Sequence, residues 1–113
     1  MHEYSIAYDI YATARRAALE NRADHVTRVH VDVGELAMVN PEQVRFLFEV
    51  IIEEDPLFQG AKLACRHIEA RVQCPCGYEG AEKYVCPRCG RLPDIVAGRE
   101  IMVTNIEIEV NES

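Results

Sequence analysis

Four of the five cysteines of this chain fall between positions 74 and 89. They read Cys74-Pro75-Cys76-Gly77 and Cys86-Pro87-Arg88-Cys89-Gly90. In the second pair the two intervening residues let both thiolates reach one tetrahedral ion, and the glycine that follows tolerates a turn that aims backbone N–H groups at sulfur. The first pair is one residue shorter. Two thiolates at that spacing still chelate a single ion, through a tighter ring. Four soft thiolates with no open position suit a redox-inert structural zinc; iron takes the same ligands. A closed all-cysteine site leaves no vacancy for a substrate, so the ion is expected to hold structure rather than to catalyse. If geometry forbade the short pair, Cys65 or His67 would be the nearest substitute. Cys65, on the apolar phase of its strand, is expected in the core, and His67 in solvent.

A second possible metal site lies at the amino terminus, Met1-His2-Glu3. The terminal amine, the amide of residue 2 and the imidazole of His2 offer three nitrogens in succession and close fused chelate rings. A strong-field ion that prefers square-planar nitrogen, Ni(II) or Cu(II), displaces the amide proton; Zn(II) generally does not. Glu3 supplies a fourth donor through its amide or carboxylate. Met1 is expected to be retained because initiator processing favours a small second residue. Cu(II) outbinds Ni(II) at such a site, so selection for nickel must come from copper scarcity or from a partner. The plainer reading is a frayed end leading into a helix whose dipole Glu3 favours.

The elements that position these groups follow from periodicity. Residues 4–20 place Ile6, Ile10, Ala14 and Ala17 on one face of an alanine-rich helix with no Gly or Pro. Residues 27–33 alternate Val29, Val31 and Val33 with Arg28, His30 and Asp32, a half-buried strand. Asn40-Pro41-Glu42-Gln43 is a helix start, with Asn40 capping, Pro41 at the first helical position and Gln43 able to close a capping box. Val44, Leu47, Phe48 and Ile51 then form a stripe, and Glu53-Glu54-Asp55 reads as a solvated helix end. Residues 61–73 read as one long strand whose two apolar phases are reconciled by a bend near Arg66-His67. Residues 100–110 form a last strand. The expected fold is α+β: a small three-stranded sheet with two helices on one face, plus an inserted zinc-knuckle module. The α/β domain takes 1–70 and 93–113, and the module 71–92. A segment that short cannot bury enough surface to fold alone and needs a staple.

Composition narrows the function. The chain has 113 residues, 49% hydrophobic and 27% charged, with net charge −7. An acidic chain argues against nucleic-acid binding and against a polybasic membrane surface. No apolar run approaches the roughly 20 residues of a membrane span, and no signal peptide is visible. Cysteines without a secretory signal point to a reducing cytoplasm. A Ser/His/Asp arrangement, a Gly-rich phosphate loop and HExxH are all missing, so an enzyme is not expected. The competing reading is a zinc-ribbon protein-interaction adaptor. A nucleic-acid ribbon is disfavoured because Glu79 and Glu82 offset Lys83 and Arg88 between the cysteines. Tyr4, Tyr8 and Tyr11 are candidate docking residues, although tyrosine at helical spacing is more often partial core.

The start MHE, the strand RVHVDVGEL, the helix entry VNPEQVRFLFEV, the GAKL segment, the paired knuckles and the closing GREI and IEIEV resemble the HypA/HybF family of NiFe-hydrogenase maturation, in the same order along the whole chain. The resemblance implies a nickel metallochaperone with a nickel-binding α/β domain and a separate zinc domain. It implies Ni(II) held at Met1, His2 and Glu3, and zinc held by Cys74, Cys76, Cys86 and Cys89. It further implies a GTPase partner, HypB, and delivery to the hydrogenase large subunit, with urease served by some members. The shortened first cysteine pair departs from the family pattern.

Overall fold

The computed structural model describes residues 2–111, with the backbone alone at His2. The uninterrupted alanine-rich segment forms α1, His2–Glu20, which buries Ala7, Ile10, Ala14 and Ala18. These recur at intervals of three and four and are mostly small, so a second helix can approach closely. Ile6 and Ala17 lie half-buried at the margin of this stripe. Arg22, at φ 56°, turns the chain out of the helix in a left-handed cap. The chain then enters β1, His25–Gly34, in which Val29, Val31 and Val33 face inward as the alternation predicts. A 3-10 turn, Glu35–Ala37, leads to α2, Pro41–Ile52. The Asn40 side chain accepts the N–H groups of Glu42 and Gln43 at 3.0 and 3.3 Å, satisfying two of the donors a helix start leaves open. Val44, Phe48 and Ile52 are buried, with Leu47 and Ile51 half-buried beside them. A second 3-10 turn, Pro56–Phe58, brings the Phe58 ring against those of Tyr11 and Phe48, with centroids 5.2 and 6.2 Å away.

The segment expected as one strand over 61–73 is two strands, β2 (Lys62–Ile68) and β3 (Arg71–Gln73). They belong to different sheets, which is why the apolar phase changes along the segment. The break falls at Glu69-Ala70 rather than at Arg66-His67. There the N–H of Ala70 leaves the ladder and donates to Glu35 Oε1 at 3.0 Å. The backbone of Gly98 passes so close that a Cβ on it would lie 2.6 Å from Ala70 Cα, and Gly98 sits at φ 92°.

The first sheet has the order β2-β1-β6, where β6 is Ile101–Glu109, and the two helices cover one face of it. The cysteine segment carries a second three-stranded sheet, with β4 (Glu79–Gly80) and β5 (Asp94–Ala97) flanking β3 antiparallel. The α+β architecture matches expectation; the second sheet is an addition to it. The chain divides into two compact units. One runs through Val31 and takes in Val39–Arg66 and the residues from Met102 onward; the other comprises Asp32–Met38 and His67–Ile101. The second unit is thus broader than the segment 71–92. Among the described residues no helix is long and apolar enough to cross a membrane.

Candidate metal centre

Both cysteine pairs are held by the same two backbone hydrogen bonds. In the second knuckle the N–H of Cys86 donates to Arg91 O at 2.8 Å, and the N–H of Gly90 donates to Cys86 O at 2.8 Å. In the first, the N–H of Cys74 donates to Tyr78 O at 2.8 Å, and the N–H of Gly77 donates to Cys74 O at 2.9 Å. Each bond in the first knuckle spans one residue fewer. Gly77 and Gly90 follow the second cysteine of their pairs and stand at φ 102° and 79°. The deletion in Cys74-Pro75-Cys76 therefore tightens the turn without removing either bond. β3 delivers Cys74, its hairpin with β4 closes the first knuckle, and β5 follows the second.

The four sulfurs converge. All lie within 4.8 Å of one another, with Cys74 to Cys89 and Cys76 to Cys86 at 3.5 Å. Four thiolates around a tetrahedral zinc stand about 3.8 Å apart, so this donor set fits a closed structural site. The separations are far beyond a disulfide bond, and every cysteine is a free thiol. Cys74 and Cys86 are buried, and Cys76 and Cys89 half-buried.

Backbone amides point at the sulfurs, as the glycine turns predict. The N–H of Cys76 draws Cys74 down, but burial and the neighbouring thiols outweigh it and leave Cys74 pushed up to about 12. Burial acts to raise Cys86, and the N–H groups of Cys89 and Arg88 overcome it, leaving that thiol below its ordinary range. Cys89 is lowered to about 6, first by the N–H of Arg91 and then by a hydrogen bond from Cys74. Four acidic groups this close share protons unevenly. A divalent cation would relieve that crowding.

The linker between the knuckles is fastened by Glu35. Its Oε2 accepts from Lys83 Nζ at 2.7 Å while Oε1 holds the N–H of Ala70. The Lys83 ammonium, and then the Ala70 N–H, hold this carboxyl below the usual carboxylate range, and Glu35 in turn raises Lys83.

The remaining candidates are scattered. Cys65 is half-buried in the first unit, where burial pushes its thiol up against the opposing effect of Arg45. His67 is exposed near the end of β2. Neither joins the cluster, the only grouping of three or more such ligands among the described residues. Glu3 is half-buried in the first turn of α1; Met1 and the His2 side chain lie outside the described residues. Tyr4 and Tyr8 are about half exposed, whereas Tyr11 donates to Asp55 Oδ2 at 2.6 Å, a bond that raises its hydroxyl pKa. Asp55 is no solvated helix end. It accepts from Tyr11, from Arg15 Nε at 3.3 Å and from the Leu57 N–H at 3.0 Å. The Asp-Pro dipeptide, a cap at the start of a 3-10 turn, is the sequence signal for it. Glu35 and Arg91 carry no comparable signal.

The sequence pattern of the family described as "Hydrogenase/urease nickel incorporation, metallochaperone, hypA" matches residues 1–108. The chain belongs to the HypA family. The hydrogenase maturation factor HypA of Methanocella arvoryzae is 41% identical over 114 residues, covering 97% of this chain and 100% of that protein. That of Methanothermobacter thermautotrophicus is 38% identical, covering 96% and 98%. The solution structure of the Ni metallochaperone HypA from Helicobacter pylori superposes with a TM-score of 0.76 at 25% identity, covering 96% of this chain and 98% of that one. HypA is a family of nickel-incorporation metallochaperones rather than of enzymes, and its role lies in hydrogenase maturation.

Proposed function

We propose that this chain binds Ni(II) through Met1, His2 and Glu3 and hands it on during NiFe-hydrogenase maturation, while Cys74, Cys76, Cys86 and Cys89 hold one structural zinc. The observation that carries the reading is the match to the HypA family from residue 1, together with four converging thiols in the second unit. Physical chemistry supports the nickel assignment. Since α1 begins at His2, the amides of His2 and Glu3 are among the first four N–H groups of the helix, which have no partner within it. A metal can take their nitrogens without breaking a helical hydrogen bond. Square-planar Ni(II) with two deprotonated amides and a neutral amine carries no net charge, so the positive helix terminus does not repel it.

A nickel-binding α/β body over 1–70 and 93–113 carries the cargo, and a zinc-stapled module over 71–92 presents a fixed surface. The partners are the GTPase HypB and the hydrogenase large subunit. The net charge of −7, made more acidic by four zinc-bound thiolates, favours fast encounter with a basic partner face. A reducing cytoplasm keeps the thiols available to metal. The test is a Ni(II) titration of the native chain, of His2→Ala and of a chain with extra residues before Met1. The native chain alone should show the planar nickel absorption band at one equivalent. Equal binding by all three chains would refute the N-terminal site.

A further inference from the structure

The four clustered sulfurs divide into two close pairs that share no member. Cys74 Sγ lies 3.5 Å from Cys89 Sγ, and Cys76 Sγ lies 3.5 Å from Cys86 Sγ. Each pair joins one knuckle to the other. Each also joins a buried thiol, Cys74 or Cys86, to a half-buried one, Cys89 or Cys76. The half-buried sulfurs stand among exposed neighbours: Pro75 and Gly77 flank Cys76, and Arg88 and Gly90 flank Cys89. A small oxidant therefore reaches one member of each pair, and the other stands behind it at 3.5 Å. Four cysteines allow three disulfide connectivities. Pairing within the first knuckle is disfavoured, because Cys74 and Cys76 are separated only by Pro75, whose ring fixes φ, and the Gly77 N–H already closes that turn on Cys74 O. The fifth thiol, Cys65, lies in the first unit, outside the cluster.

Zinc is redox-inert, but the thiolates that bind it are not. Coordination keeps all four sulfurs deprotonated, and the thiolate is the form that attacks a peroxide. We propose that the four cysteines form a reversible oxidation site for hydroperoxides: Cys76 and Cys89 are oxidised first, Cys86 and Cys74 resolve them, and two disulfides between the knuckles replace the ion. The role rests on the reading of the four cysteines as zinc ligands. In the first step a thiolate sulfur attacks a peroxide oxygen, the O–O bond breaks, and a cysteine sulfenic acid and hydroxide form. In the second the partner thiolate attacks the sulfenic sulfur, an S–S bond forms and hydroxide leaves. Each pair loses two electrons and reduces one peroxide. For the whole site, four thiolates, two hydrogen peroxides and four protons give two disulfides and four waters, and the zinc ion is set free. Each sulfur need move by less than about 1 Å to close the 3.5 Å gap to bonding distance. Because both bonds run between the knuckles, the hairpin that carries Cys74 and Cys76 stays joined to the turn that carries Cys86 and Cys89 after the ion has left. A dithiol reductant then restores the site.

The experiment uses the full chain loaded with zinc, and zinc per chain is counted first. Hydrogen peroxide is then added stepwise while free zinc is read with a chromophoric indicator and the remaining thiols are alkylated and counted. Two equivalents should release the one zinc and reduce the free thiols from five to one, Cys65. Digestion without reduction should give Cys74–Cys89 and Cys76–Cys86 cross-links. Cys74 and Cys76 fall in one tryptic peptide, so fragmentation at the Cys74–Pro75 bond tells this pairing from its opposite. A dithiol followed by zinc should return one zinc per chain, and Cys65→Ser should leave every step unchanged. A native chain that retains no zinc before oxidation would overturn the zinc reading itself. With one zinc per chain at the start, four results would overturn the oxidation site and leave the zinc reading intact. They are zinc retained at two equivalents, sulfinic or sulfonic acid in place of disulfide, any other connectivity including one between chains, and zinc uptake that the dithiol does not restore.

Discussion

The two compact units reach order by different means. The first buries Phe48, Phe58, Val26, Val29 and Val31 almost completely, and three aromatic rings meet around Phe58. Side chains of that size contribute roughly 1.5–3 kcal/mol each when removed from water. In the second unit the buried apolar side chains are Val33, Ala70, Val72 and Pro93, together with Cys74 and Cys86 themselves. Its core has no aromatic ring, and part of it is the metal site. A hydrophobic core tolerates small adjustments at one end, whereas a metal-built core is all or nothing. That contrast suits the proposed carrier, with an exchangeable ion on one unit and a permanent one on the other.

The largest effect should come from removing zinc. Structural zinc contributes on the order of 10 kcal/mol to small metal-dependent folds. A strong chelator, or Cys86→Ser, should abolish amide-exchange protection at Val72 and Ile95 while leaving Val29 and Phe48 protected. Equal loss in both units would erase the contrast. Next in size is Phe58→Ala, which should cost the first unit about 3–5 kcal/mol in denaturant unfolding with zinc content unchanged. A fall in bound zinc in that variant would show that the units do not fold independently.

The smallest effect sharpens the picture of the first unit. Both ring nitrogens of His25 face acceptors: Nδ1 lies 3.1 Å from Glu109 Oε1, and Nε2 lies 2.5 Å from Gln59 O. Only the imidazolium donates to both. The Gln59 carbonyl, and then the Glu109 carboxylate, raise its pKa above the ordinary 6.5. Because the folded pKa is the higher one, this stabilisation is complete below about pH 6.5 and is lost as pH rises through the folded value. The bonds are partly exposed, so the gain is under about 1 kcal/mol. His25→Gln should flatten the pH dependence of first-unit stability above pH 6.5 and leave zinc release unchanged; an unaltered profile would remove His25 from the account.

Much of this was legible in the sequence, for identifiable reasons. Asn40-Pro41 announces α2 because capping and the fixed proline φ are local. Val29, Val31 and Val33 reveal β1 because a strand face repeats every second residue. The four cysteines declare themselves by spacing. The break at Ala70 was not legible, since it depends on Glu35 and Gly98, both far along the chain. Asp55 hid within an acidic run because its partner Tyr11 is 44 residues away. The shortened knuckle could be judged only when its hydrogen bonds were seen to contract by one residue each.

On the proposed reading two metals occupy two separate places, nickel at the chain's first residues and zinc on the cysteines. The most direct measurement adds Ni(II) to the zinc-loaded chain while absorption and free zinc are followed together. The account predicts a planar nickel band that saturates at one equivalent with no zinc released. A sulfur-to-nickel charge-transfer band, rising as zinc appears in solution, would contradict it.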